Sequence, residues 1–86
     1  MTFDDTILVA GRELDRVIAD DLARLARRVR RDLVATSRPD DPPSPARIER
    51  NVTAVLRYER KRLRAWRAQI LPLYALDRHT LTTRPC

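Results

Sequence analysis

Eighty-six residues, 43% of them hydrophobic and 35% charged, with a single glycine, bound the chain to one small domain. It is too apolar for a disordered chain and too poor in glycine for a turn-rich β fold, which leaves an all-α class. A formal charge of +6 and a pI near 10.9 direct the search for partners to nucleic acid, an anionic membrane or an acidic protein surface.

The first segment opens on Thr2, whose hydroxyl can cap a helix, followed by Asp4 and Asp5, whose charges suit the positive end of the helix dipole. Ile7, Leu14, Ile18, Leu22, Leu25, Val29 and Leu33 then recur at spacings of three and four, with Gly11 in the one gap and Val17 widening the stripe. Ile7, Ile18 and Val29 also repeat every eleven residues, the period of a nearly straight helix. Arg16, Asp20, Arg24, Arg27, Arg30 and Arg31 take the opposite face. The pattern predicts one long amphipathic helix over residues 3–36, about 50 Å long at 1.5 Å per residue, with Gly11 as its weak point.

Residues 37–45 read SRPDDPPSP. Proline lacks a backbone donor and restricts the residue before it, so the helix must end before Pro39. The break is short enough for a helix-to-helix connection, and Ser44 followed by Pro45 makes a capped start for a second helix over residues 45–70. On a helical wheel of that segment Ile48, Val52, Val55, Leu56, Leu63, Trp66 and Ile70 share an arc of about 100°, the width of a core-facing stripe. Arg50, Arg57, Lys61 and Arg64 fall opposite, with Arg60 and Arg67 on one flank, so the basic run from Arg57 to Arg67 is divided and Trp66 is expected inside. Glu59 lies within the apolar arc. It is either a half-buried acid fixing chemistry or register, or a carboxylate bridging to an arginine such as Arg62. Pro72 is expected to end the regular pattern and leave residues 73–86 as an irregular tail holding His79 as a solvated side chain and Cys86 as a terminal thiol.

Two such helices fold back most simply as an antiparallel hairpin, and two hairpins pairing into a four-helix bundle would cover the apolar surface that one leaves open. That register sets Arg24 to Arg31 beside Arg50 to Arg57, and Arg60 to Arg67 beside Asp15, Asp20 and Asp21. The strongest positive potential is therefore expected around Arg24, Arg27, Arg31, Arg50 and Arg57. With one histidine, one cysteine and one glycine, the chain has no means to build a histidine or cysteine metal site or a glycine-rich phosphate loop, and no cofactor is implied. No signal peptide or membrane-spanning run is visible, which predicts an intracellular protein.

The stretch Leu14-Asp15, Val17, Leu22, Leu25 and Arg28 resembles the first helix of the small all-helical chorismate mutases, in which arginines and a lysine hold a dicarboxylate. The resemblance covers about a fifth of the chain. It departs where Gly11 stands for the early arginine, where Pro39 falls near the expected lysine, and where Pro72 interrupts the region of a third helix. In size, charge and hairpin character the chain is also similar to the small viral suppressors of RNA silencing, such as those of nodaviruses, which bind duplex RNA as helical dimers. That similarity is one of architecture and carries no motif.

The expected function is a non-enzymatic module binding nucleic acid, duplex RNA above all, with Arg24, Arg27, Arg31, Arg50, Arg57, Arg60, Lys61, Arg64 and Arg67 on the phosphate backbone as a homodimer. The competing expectation is an assembly subunit docking on a larger complex through its apolar stripes and an acidic partner.

Overall fold

The computed structural model describes residues 2–83, with side chains through residue 80; Cys86 lies outside them. Two helices, α1 (Phe3–Thr36) and α2 (Pro45–Thr83), make up the fold. They run antiparallel, as three cross-helix contacts show: Arg30 to Glu49 near the connection, Arg67 to Asp15 in the middle, and Thr6 to His79 at the open end. No strand occurs among the described residues.

Each helix begins as its side chains dictate. The Thr2 hydroxyl accepts from the Asp5 amide at 3.2 Å while the Asp5 carboxylate accepts from the Thr2 hydroxyl and amide, a reciprocal capping box in which those two donors hold the Asp5 carboxyl below its ordinary value. Thr36 and Ser37 close α1 by donating their hydroxyls to the carbonyls of Asp32 and Val34. In the connection Pro39 sits inside a turn closed by the Asp41 amide on the Arg38 carbonyl. Ser44 Oγ then accepts from the Arg47 amide at 3.2 Å and Pro45 takes the first helical position.

The molecule is a rod of 66 × 23 × 15 Å with a radius of gyration of 18.7 Å, against about 12 Å for a compact chain of this length. Its core is correspondingly thin. Among the described residues Leu14, Ile18 and Val52 are the large buried side chains, and small residues (Thr6, Ala10, Gly11, Ala26 and Ala75) supply the rest. One neighbouring helix covers only a narrow strip, so residues at the edges of the apolar arcs stay open. Val17 is 46% exposed, and Val55 and Trp66 are each 38% exposed. The expectation of an inward Trp66 is corrected to a Trp66 on the rim of the helix–helix seam.

α2 does not stop at residue 70. It passes through Pro72 to Thr83, so residues 73–83 are helix and not an irregular tail. Pro72 removes the amide that would bond the Ala68 carbonyl, but both residues lie on the exposed side, where water can satisfy that group. The other side is tied down. Tyr74 donates its hydroxyl to Glu13, which also receives Arg78 Nη1 at 3.1 Å. His79 packs edge-on against Phe3 with ring centroids 5.4 Å apart, and its Nδ1 lies 3.2 Å from the hydroxyl of buried Thr6. His79 is thus a docking residue of the open end, not a solvated one.

Candidate functional site: the arginine stripes

Charge is segregated along the rod. Residues 22–33 hold five arginines and one aspartate, and residues 47–64 hold seven basic and two acidic residues. The open end reverses the balance: residues 2–21 carry six acids and two arginines. The antiparallel fold sets the two basic segments side by side, so the half of the rod nearer the connection is strongly cationic.

Ion pairs remove only a minority of these cations. Arg30 donates Nε and Nη2 to the two oxygens of Glu49 at 2.9 and 3.1 Å, an exposed fork that holds the Glu49 carboxyl below its ordinary value. Arg24 reaches Asp21 at 2.6 Å. Arg62 donates Nη2 at 2.5 Å and Nε at 3.1 Å to the half-buried Glu59, so the unusual carboxylate of the apolar arc is a partner for Arg62. Arg27, Arg28, Arg31, Arg47, Arg50, Arg57, Arg60, Lys61 and Arg64 have no carboxylate partner among the described residues.

Of the nine residues expected to form one surface, eight form two stripes. Arg50, Arg57, Arg60, Lys61 and Arg64 share an arc of about 100° on one flank of α2 and extend about 21 Å along it. Arg24, Arg27 and Arg31 share a different stripe on α1, and two grooves between the helices set Arg24 and Arg31 apart from Arg60, Arg64 and Arg67, with Arg27, Arg50, Arg57 and Lys61 lining neither. One, of about 430 Å³, is lined by Asp15, Ile18, Ala19, Leu22, Arg60, Arg64 and Arg67. The other, of about 530 Å³, is lined by Asp21, Arg24, Leu25, Arg28, Arg31, Glu59 and Arg62. Arg28 and Arg62 are the cations of that second groove that lie outside the nine. In the sequence Arg28 stands one position beyond Arg27, and Arg62 three beyond Glu59.

Arg67 belongs to neither stripe in function. Its Nε lies 2.8 Å from Asp15 Oδ1, near enough for charge attraction, yet that buried Nε has no partner in hydrogen-bond geometry among the described residues. Nη2 makes a long bond of 3.4 Å to Oδ2. The guanidinium crosses α1 at Gly11, where a Cβ would stand 2.8 Å from Nη2. Gly11→Ala should therefore push Arg67 away from Asp15. The helix gains about 1 kcal/mol from replacing glycine, against about 0–1 kcal/mol for a partly exposed pair. The expected result is a small net stabilisation in urea unfolding. In that background Asp15→Asn should have no further effect, whereas in the original chain it should cost a few tenths of a kcal/mol.

Among the described residues no three histidine, cysteine, aspartate or glutamate side chains gather as metal ligands, and no helix is long and apolar enough to cross a membrane. No family model matches the chain, and no curated protein or solved structure matches it.

Proposed function

We propose that the chain is a non-enzymatic nucleic-acid-binding rod that grips the phosphate backbone through the cationic flank of α2, with duplex RNA as its preferred polymer. The observation that carries this is the stripe of Arg50, Arg57, Arg60, Lys61 and Arg64: five exposed cations, none engaged by a carboxylate among the described residues, aligned along one helix. Cations so placed exchange condensed counterions for phosphate contacts and give affinity that does not depend on base sequence. A straight helical flank suits duplex RNA, which is recognised mainly through shape and backbone.

The test is electrophoretic retardation of several RNA duplexes of unrelated sequence at low salt. Equal retardation of all of them is expected. No retardation at any salt overturns the reading and favours an assembly subunit, for which the exposed side chains of Leu73 (64%), Leu76 (54%) and Val17 (46%) are the supporting observation.

A further inference from the structure

The cationic groove on the α1 side of the seam adjoins another depression. It shares Asp21 and Arg62 with a second depression of about 290 Å³ lined by Val17, Leu63 and Trp66. Side by side the two make a trough, cationic at one end and apolar with an aromatic ring at the other.

The cationic end is partly prearranged. Asp21 holds Arg24 at 2.6 Å, and Glu59 holds both Nε and Nη2 of Arg62, which fixes the plane of that guanidinium and leaves Nη1 unengaged. Arg28 and Arg31 bring two further guanidiniums that have no carboxylate partner among the described residues. At the other end Trp66 stands four residues, about one helical turn or 6 Å, beyond Arg62 on α2. That is about the separation between a base and the phosphate of its own nucleotide.

We infer that this trough takes an unpaired nucleotide: its base lies against Trp66 among Val17 and Leu63, and its phosphate meets Arg62 and Arg28. A basic groove beside an aromatic side chain is the means by which single strands are held without sequence preference. The inference rests on the proposed backbone binding and deepens it. The stripe on α2 suits a duplex best but meets the phosphates of any strand, whereas the trough adds a contact only for strands that offer a free base. A duplex keeps its bases stacked and presents none.

Trp66 is the only tryptophan, so its fluorescence reports the trough directly. The experiment titrates the full chain at low salt with an oligouridine of roughly a dozen nucleotides, within the site sizes of single-strand binders. In parallel it uses an abasic oligomer of equal phosphate count and a blunt RNA duplex. The expected result is quenching of Trp66 and protection from acrylamide by oligouridine alone, with oligouridine binding roughly tenfold tighter than the abasic strand. Trp66→Leu should remove that advantage and leave duplex binding unchanged. Should the variant fold poorly, acrylamide protection in the unaltered chain decides alone. Equal binding of both strands without quenching overturns the trough while leaving the backbone reading intact. Failure of every polymer to bind overturns both. A dimeric free chain whose Trp66 is already shielded from acrylamide gives the trough to a second copy and overturns the inference.

Discussion

Raising the salt from about 50 to 200 mM is expected to weaken the complex with an RNA duplex by several hundred-fold. The figure follows from the α2 stripe. Five cations in phosphate contact give a log–log slope of about −4.5, and a fourfold rise in salt then costs a factor of about 500. The slope is more informative than the affinity, because it counts contacts. Arg57→Gln should flatten it by about 0.9, and adding Arg64→Gln by about as much again. Arg30→Gln is the internal control. That guanidinium is already held by Glu49 at 2.9 and 3.1 Å, and its removal frees a carboxylate, so the affinity should fall with little change in slope. If instead the slope flattens with Arg27→Gln and Arg31→Gln and ignores Arg57, the backbone lies on α1 and the assignment to α2 is wrong.

The division into two stripes could not be read from the sequence, although every residue in them could. A wheel places each arginine on its own helix, and by that measure Arg24, Arg27 and Arg31 face away from the core, as do Arg50, Arg57 and Lys61. Whether two outward faces join into one surface depends on how the helices are rolled about their axes. That roll is set by the small residues at the seam, Ala10, Gly11, Ala26 and Ala75, which carry almost no weight in a hydrophobic pattern. Trp66 shows the same limit. Its position in the apolar arc is plain, but a single neighbouring helix covers only part of that arc and leaves the ring at the rim. The helix starts, by contrast, were legible. Thr2, Ser44 and Pro45 act on their own helix termini, so nothing beyond a few residues of sequence decides them. The pairing of Glu59 with Arg62, three residues apart, was legible for the same reason.

The helix over residues 71–83 is hidden in the sequence because Pro72 is a louder signal than the face that follows it. Leu71, Tyr74, Ala75, Arg78 and His79 recur at spacings of three, one, three and one, which is a helical stripe. It is disguised by composition: three of its members have polar tips, while the conspicuous Leu73 and Leu76 point to solvent. Tyrosine, histidine and the arginine stem bury an apolar body and place the polar end on a partner, here Glu13 and Thr6. The hydrogen bond to Glu13 also pushes the Tyr74 hydroxyl above its ordinary pKa. Such a stripe can carry a helix past an exposed proline, because the cost of the missing hydrogen bond falls on the opposite side.

That account is tested at Ala75, which is completely buried. The contacts of Tyr74 with Glu13 and of His79 with Thr6 set Ala75 against residues 6–13 of α1, where Thr6, Ala10 and Gly11 are also buried. Ala75→Asp would place a carboxylate there, where Arg78 is already held by Glu13 at 3.0 Å. An uncompensated buried charge on this scale is expected to cost about 3 kcal/mol or more, a large part of the roughly 4–13 kcal/mol that stabilises a chain of this length. Leu76→Asp makes a similar chemical change one residue later, at a side chain that is 54% exposed, and should stay within about 0.5 kcal/mol of the original chain. Urea unfolding measures the contrast, and amide hydrogen exchange locates it. Protection should be lost first in residues 71–83 and the facing turns of α1, while the segment from Arg50 to Arg64 stays protected and duplex RNA is still retarded. Equal tolerance of the two substitutions would mean that the helix beyond Pro72 does not dock on α1. Loss of RNA retardation in Ala75→Asp, with residues 50–64 still helical, would extend the binding surface to the open end.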